Sequence, residues 1–397
     1  MISLAGRDIR HAWARFVLTG LGLGLLIGVT LTMAGVYRGM VDDGRVLLDN
    51  SGADLWVVQR DTQGPYAEPS SVRDDLYRSV QALPGVADAA SVTYLTMQVQ
   101  ADGREFRAMV VGIDASRPGA PGWPPRLVAG RHIAQAHDEA VVDAAAGLLP
   151  GQVLHLRGEP YTVVGQSRRT VSSGGDPMVF IPLRDAQQAQ FQRDDDAVDQ
   201  DRRRLDASTR DAPAAVREAL AGAQLAHPFV NAVLVRVQPG VAPDAVAADV
   251  RRWLRHEAHT REAMEEILIG KLIATSARQI ALFLVILAVV SAAIVAFIIY
   301  TMTLGKLREI AVLKLIGTRD RTIGWMILQQ SLLLGAVGFA SGRIVAGAWA
   351  PAFPKFVLLV PEDSALGLVL VLVICALASL VSIHAALRVD PADAIGG

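Results

Sequence analysis

Four stretches of the chain stay apolar for longer than a helix in a soluble domain requires. Residues 16–37 carry no charge and are bracketed by Arg15 and Arg38, and residues 280–304 are equally uncharged between Arg278 and Lys306. Residues 323–342 are uncharged, with apolar character continuing past Arg343 to Ala350. Residues 364–387 end at Arg388, and His384 is their one side chain that charges near neutral pH. About 20 helical residues cross roughly 30 Å of hydrocarbon, so each run predicts a membrane span. The first is longer than the roughly 7 to 15 apolar residues of a secretory signal, which makes it an uncleaved anchor.

Between the first and second runs the apolar period shortens. Residues 52–58 (Gly-Ala-Asp-Leu-Trp-Val-Val) read as a strand, and residues 72–83 as a helix broken by Pro84-Gly85. Residues 92–100 and 105–112 alternate about Asp102-Gly103, a hairpin signal. Short strands are expected at 140–142, 152–156, 161–164, 178–182 and 231–238, with an amphipathic helix over 243–256. Residues 192–211 are rich in Asp and Arg and poor in apolar positions, which predicts a solvated helix or mobile insertion. From Thr260 to Leu304 there is no proline and one glycine, Gly270. One long helix is expected there, a stalk entering the second span.

Composition agrees with the membrane reading: 52% of residues are hydrophobic and 19% charged. The net charge of −1 leaves no basic footprint for nucleic acid. The single cysteine, Cys375, lies in the last apolar run, so no intrachain disulfide can form. Arg7, Arg10 and Arg15 precede the first span. Lys306, Arg308, Lys314, Arg319 and Arg321 fill the second-to-third connection, whereas the third-to-fourth offers Lys355 against Glu362 and Asp363. Positive residues stay cytoplasmic, which puts both termini and the second-to-third loop inside and residues 38–277 outside.

Candidate chemistry is sparse. No G-x-x-x-x-G-K-[ST] loop, H-E-x-x-H, C-x-x-C or G-x-S-x-G occurs, so nothing here hydrolyses ATP through a P-loop. His132, His137 and Asp138 invite a metal reading, but a five-residue separation suits neither a helix face nor a strand face. They read as loop residues, and Ser172-Ser-Gly-Gly175 as a flexible loop. A guanidinium at mid-membrane costs about 2.5 to 3.5 kcal/mol on insertion scales. For Arg343, snorkelling to the outer interface, an ion pair and a substrate contact are all open. Gly20, Gly24 and Gly28 repeat at four-residue spacing, as do Gly338 and Gly342. Such faces permit close helix approach in lipid, within one chain or across a dimer. In the second-to-third loop Leu307, Ile310 and Leu313 recur at helical spacing, charges interleave, and Gly317 suits a helix cap. A short amphipathic helix on the inner surface is expected, as a structural element or as a docking element for a cytoplasmic partner.

Residues 308–318 (R-E-I-A-V-L-K-L-I-G-T) resemble the R-E-I-G-x-x-[KR]-A-[IL]-G signature of the FtsX-like ABC permeases, the group of MacB, the lipoprotein-release permeases, FtsX and the DevC-like permeases. Residues 387–394 resemble the family's terminal D-P-[AV]-[ED]-A-[IL] motif, residues 52–58 are similar to DevC-like members, and Pro84-Gly-Val86 and Thr162-Val-Val-Gly165 fit the family's outer domain. The resemblance spans essentially the whole chain. Lys314-Leu315 stands where many members have a basic residue and alanine. MacB carries its nucleotide-binding domain on the same chain; this sequence has none, so the resemblance implies a separate ATPase, which would hold ATP and magnesium.

The expected fold is therefore an α-helical membrane protein: four transmembrane helices, with a large mixed α/β extracytoplasmic domain inserted between the first and second. Its parts would be a cytoplasmic amphipathic N-terminal helix (1–15), the first span (16–37), a MacB-like periplasmic domain with stalk (38–277) and an FtsX-like permease domain (278–397). The resemblance implies a permease of the bacterial inner membrane, homodimeric, with a periplasmic adaptor (membrane fusion protein) as a further partner and no cofactor of its own. It would export or extract an amphipathic cargo by transmitting movement to the outer domain. Arg308, Glu309, Lys314 and Gly317, with Asp390 and Pro391, are the expected ATPase-coupling residues. An FtsX-like signalling permease that activates an external hydrolase, and a membrane-anchored enzyme or receptor, are the rival readings.

Overall fold

The computed structural model describes residues 13–191, 228–353 and 355–388. The N-terminal segment before Trp13, the Asp- and Arg-rich run at 192–211 and the terminal motif with Asp390 and Pro391 lie outside the described residues. The chain divides into two compact units, Val41–Ala274 and the combination of Met1–Met40 with Thr275–Gly397.

Helix α1, Trp13–Ser51, contains the first span and continues well past Tyr37. The sequence reading stopped at the charges that follow Tyr37. The helix persists because one face stays apolar, with Leu47 and Leu48 fully buried, while the charges on the other faces find partners. Asp42 pairs with Arg169, Arg45 with Glu265 and Asp49 with Arg261.

The unit Val41–Ala274 is built on a mixed sheet. In chain order come β1 (Leu55–Val58), β2 (Val72–Arg73), α2 (Leu76–Gln81), β3 (Val86–Ala101), β4 (Arg104–Ile113), β5 (Leu127–Gly130) and β6 (Glu139–Asp143). Then follow β7 (Val153–Leu156), β8 (Glu159–Ser167), β9 (Met178–Pro182), α3 (Leu183–Phe191), β10 (Phe229–Val230), β11 (Ala232–Val237), α4 (Pro243–Asp249) and β12 (Glu257–Thr260). The main sheet runs β12-β1-β11-β3-β4-β9-β6-β8-β5, with β7 joining β3 and β8; β10 and β2 form a separate pair. Strand β3, 16 residues long, binds the sheet's two halves, since its first half pairs with β11 and its second with β4 and β7. Where a helix was expected over 72–83, Val72 instead pairs with Val230 and only Leu76–Gln81 are helical. The edge strands β5 and β12 were not foreseen: each is four residues long, below the length at which alternation is readable.

Alternating strand positions feed three apolar cores. One gathers Trp56, Val92, Phe180, Leu234, Met264 and Leu268 with Leu47 and Leu48 of α1. The others centre on Val57, Val80, Val233 and Val246, and on Val110, Val142, Leu154 and Ile181. Glu139, buried at the start of β6, accepts from the Ala134 and Gln135 backbone N–H groups at 2.8 and 3.0 Å and pairs with Arg131. It thereby pins the loop that leads into its own strand.

After β12 the Thr260 hydroxyl accepts from Ala263 N–H, an N-cap. Helix α5 (Arg261–Glu265) runs on through a π-helical stretch, Glu266–Ile273, into α6 (Ala274–Leu304). The expected stalk is thus continuous, but its winding is not uniform. Its buried positions explain why: Met264, Leu268 and Ile273 are spaced four and then five apart, and Leu272 is exposed. At about 100° per residue, five α-helical steps would leave Ile273 about 140° from the seam of Leu268. The i→i+5 closure of a π turn brings it back.

The membrane unit continues with α7 (Leu307–Leu315), α8 (Asp320–Trp349) and α9 (Pro361–Arg388). With α1 and α6 these include four helices, among the described residues, long and apolar enough to cross a membrane. Helix α9 opens on proline, followed by Glu362 and Asp363 in its first turn, a start favoured by proline's fixed φ and by the helix dipole.

The Arg131 guanidinium, helped by the two N–H groups, holds the Glu139 carboxyl at about 2, against 4.5 ordinarily. A depressed carboxyl contributes stability above its unfolded pKa and loses it as pH falls through the folded value. Glu139→Gln should therefore destabilise the full chain in detergent by about 1–3 kcal/mol at neutral pH. The gap to wild type should narrow between pH 4.5 and about 2, followed by thermal melts across pH; a gap independent of pH would show that the ion pair contributes nothing.

Candidate functional site

The second-to-third loop folds as expected, into the short helix α7. Ile310 and Ala311 are buried, and Ile310 packs with Ile323 and Ile327 of α8 and Ala386 of α9. The helix ends in a tight stop: Gly317 N–H donates to Lys314 C=O at 2.9 Å and Thr318 N–H to Leu313 C=O at 3.0 Å. These are the two bonds of a Schellman motif, which needs a left-handed residue after the cap. Gly317 has φ +90° and open space where a Cβ would lie, so backbone conformation, not crowding, calls for glycine.

The coupling candidates therefore separate. Lys314 Nζ donates to Leu387 C=O at 2.9 Å, near the C-terminal end of α9, where a cation also meets the helix dipole favourably. Lys314 and Gly317 hold the loop in place. Arg308 and Glu309 are exposed. Burial lowers the pKa of Lys306, and Glu309 opposes the shift.

The face of α7 turned away from the bundle carries an apolar surface that the sequence reading passed over. Leu315 is 66% exposed and Ile316 76%, with Val312 beside them also exposed. The signal was present as three apolar residues out of phase with Leu307, Ile310 and Leu313. A helix that buries one apolar stripe and shows a second has two surfaces to satisfy.

The span glycines meet one another within this chain. A Cβ on Gly24 would fall 1.9 Å from Ser341 Oγ and 2.9 Å from Gly338 C=O, and one on Gly342 would fall 2.6 Å from Gly24 C=O. Gly20 faces Val337 and Gly28 faces Gly342. Ser341 Oγ donates to Gly20 C=O at 3.3 Å, and Trp349 Nε1 to Thr32 Oγ1 at 2.7 Å. Two further glycines extend this face of α1: Leu358 N–H donates to Gly35 C=O at 3.0 Å, and a Cβ on Gly39 would collide with Phe356. Arg38 closes the same end with a bidentate pair to Asp363, at 2.9 and 2.8 Å.

The outer unit's candidates are engaged separately. His132 packs against Trp123 with the rings tilted and His137 pairs with Asp185; among the described residues, no group of three or more His, Cys, Asp or Glu converges as a metal site. Ser172 Oγ accepts from Gly174 and Asp176 N–H at 3.2 and 3.1 Å, which closes that loop on itself. A cleft of about 470 Å³, lined by Tyr77, Arg78, Arg117, Leu183 and Gln187 among others, opens in the same unit.

Residues 16–253 match the family described as MacB-like periplasmic core domain, and residues 281–391 the FtsX-like permease C-terminal family. An uncharacterized ABC transporter permease of Mycobacterium tuberculosis is 25% identical over 398 residues, 100% of both chains. A permease protein of Staphylococcus haemolyticus named for a hemin transport system, HrtB, is 28% identical over 159 residues, 39% of this chain and 45% of its own. Among solved structures, the periplasmic region of MacB from Actinobacillus actinomycetemcomitans covers 57% of this chain and 98% of its own, at 9% identity and a TM-score of 0.36.

The glycine contacts yield a paired test. Gly22 has nothing within 4 Å of a built Cβ, whereas Gly24 is crowded. Cys375 is buried in the bundle and is the chain's single cysteine, so its labelling rate by a maleimide dye reports bundle opening. Gly24→Leu should speed that labelling at least about tenfold, the effect of 1.4 kcal/mol, and Gly22→Leu should leave it unchanged. Equal rates in the two variants would dissociate bundle stability from this approach.

Proposed function

The chain belongs to the ABC transporter permeases that join a MacB-like periplasmic core to an FtsX-like C-terminal domain, and on that premise we propose that it couples ATP hydrolysis in a separate ATPase to the export or extraction of a hydrophobic or amphipathic substrate. It is a multi-pass inner-membrane protein and the membrane subunit of such a system. ATP and magnesium would be bound by the ATPase.

The observation that carries the reading is the second face of α7. Leu315 and Ile316 stand exposed at the tip of a helix held from behind by Ile310 and Lys314. Arg308 and Glu309 flank that surface with charge of both signs. An apolar centre with a charged rim is the anatomy of a protein interface. Its rigid mounting on α8 and α9 means that a push received there is delivered to the spans instead of being absorbed by the loop. Asp390 and Pro391 follow α9 in sequence and are assigned to the same contact. With termini and loop inside, the ATPase docks in the cytoplasm and residues 41–274 meet cargo, or an adaptor, outside. Two copies of the chain with two ATPases complete the assembly.

The spans favour transmission of movement over a polar path. Residues 280–304 contain no Asp, Glu, Lys, Arg or His, and side chains able to line an aqueous route are correspondingly few. The outer unit would then act on cargo by changing shape.

Leu315→Glu and Ile316→Glu, singly and together, should reduce co-purification of the ATPase and its permease-dependent ATP hydrolysis by at least about tenfold, as expected for the core of an interface. Labelling of Cys375 should not change. Normal complex formation by the double variant would exclude α7 as the docking element. Cysteines placed at Asp61 and Thr318 should react with an impermeant thiol reagent from outside in the first case only; labelling of the second from outside would invert the orientation.

A further inference from the structure

Arg343 sits in α8 six residues before its last residue, Trp349. Its neighbours on one side belong to the packed seam: Gly342 against Gly24, and Ala346, which is fully buried. On the other side the helix is open, with Ile344 72% exposed and Ala340, Gly347 and Leu333 exposed as well. Among the described residues Arg343 has neither an ion pair nor a hydrogen bond. The acid at this end of the bundle that takes a guanidinium, Asp363, is already held in both its oxygens by Arg38.

The direction of the side chain is informative. Arg343 Nη1 lies 3.4 Å from where a Cβ of Gly347 would stand, so the guanidinium extends one turn toward the helix C-terminus. Cα–Cβ bonds in a helix tilt toward the N-terminus, and the arginine runs against that tilt onto a shelf left bare by glycine. From that shelf, Ile344, Ala340 and Leu333 descend along the exposed face toward mid-span, successive steps of four and seven residues that keep them on one helical stripe. A planar, permanently charged fork at the head of an apolar stripe is complementary to one kind of molecule: an amphiphile whose head is an oxyanion.

We propose that Arg343, on the shelf over Gly347, seats the phosphate or carboxylate head of an anionic amphiphile, whose tail lies along Ile344, Ala340 and Leu333 in the leaflet at the Trp349 end. This assignment concerns the chain alone. Whether the amphiphile is also the transported cargo rests on the permease reading above, and the two are tested separately.

The first measurement uses the full chain without its ATPase, in phosphatidylcholine vesicles doped with spin-labelled phosphatidylglycerol or spin-labelled phosphatidylcholine. The fraction of label immobilised at the protein gives the relative affinity for the two heads. One cation near the membrane surface corresponds to about a fivefold preference for an anionic lipid. Arg343→Gln should lower the wild-type preference by about that factor. Gly347→Leu should do the same while leaving the charge in place, because it occupies the shelf. Arg343→Lys should keep part of the preference, and Cys375 labelling should be normal in all three. Wild-type preference in both Arg343→Gln and Gly347→Leu would overturn the proposal.

The second measurement follows ATP hydrolysis by the assembled permease and ATPase during addition of decyl phosphate or decanol. Stimulation by the phosphate alone, lost in Arg343→Gln, identifies the occupant as cargo. Stimulation unchanged in Arg343→Gln, with lipid selectivity lost, identifies it as a resident lipid. Failure of the complex to hydrolyse ATP would count against the permease reading and leave the first result standing.

Discussion

The membrane unit depends on how closely two backbones come together. Inside a bilayer no hydrophobic force drives helices into contact, because lipid is as apolar as leucine, and what remains is packing at short range. Gly24 of α1 and Gly338 and Gly342 of α8 provide it, each lacking a Cβ where the facing helix already has an atom. Much else about α8 follows from that one approach. Its rotation about its own axis puts Gly335 against Cys375 of α9 and aims Ile323 and Ile327 at the underside of α7. Arg343 is left on the remaining, open side. A rotation of α8 by one residue would turn the arginine toward the seam and strip α7 of its seat.

The loop helix shows why a signature motif can mix two kinds of residue. Of the positions expected to meet a partner, Lys314 is occupied with the end of α9 and Gly317 with stopping α7. Arg308 and Glu309 are free to act outward, and the apolar part of the outward surface comes from Leu315 and Ile316. Holding an exposed surface still and forming it are different tasks, and in nine helical residues both are met. A one-residue change in helix phase would exchange the buried Ile310 for an exposed position. Such a loop is therefore constrained on every side of the helix, and its sequence is correspondingly specific.

The parts legible from sequence were those with one dominant signal. Apolar length marked four spans, because lipid imposes a single requirement over about 20 residues. The hairpin at Asp102-Gly103 and the strand Met178–Pro182 were legible because turn chemistry and a fully apolar run each leave little choice. Short edge strands were not, since four residues of β5 make no readable period. The continuation of α1 past Tyr37 was hidden because Asp42, Arg45 and Asp49 look like a boundary until their partners, more than 100 residues away in sequence, are known. Around the candidate site, the glycines could be read as packing positions, but not which helix they would meet. Leu315 and Ile316 were passed over because the buried stripe of the same helix already accounted for its amphipathic pattern.

The stalk brings these considerations into one element. Its ion pairs, Arg45 with Glu265 and Asp49 with Arg261, are largely exposed, and exposed pairs are worth about 0–1 kcal/mol. They orient the two helices but do not make them rigid. Rigidity comes from Leu47 and Leu48 of α1 sharing a buried core with Met264 and Leu268, and from Gly44, whose missing Cβ would fall 3.2 Å from Ile273 Cδ1. That last contact requires the π winding: in a regular α-helix Leu272 would take the place of Ile273. The irregular stretch is thus held in register by packing on α1, and Gly270 lies on its exposed side, where a Cβ would meet only Glu266. A π turn costs a helix regular hydrogen bonding, and here the return is a seam that stays closed through the last residues of the outer unit. Bending either helix over this stretch must first separate that apolar interface.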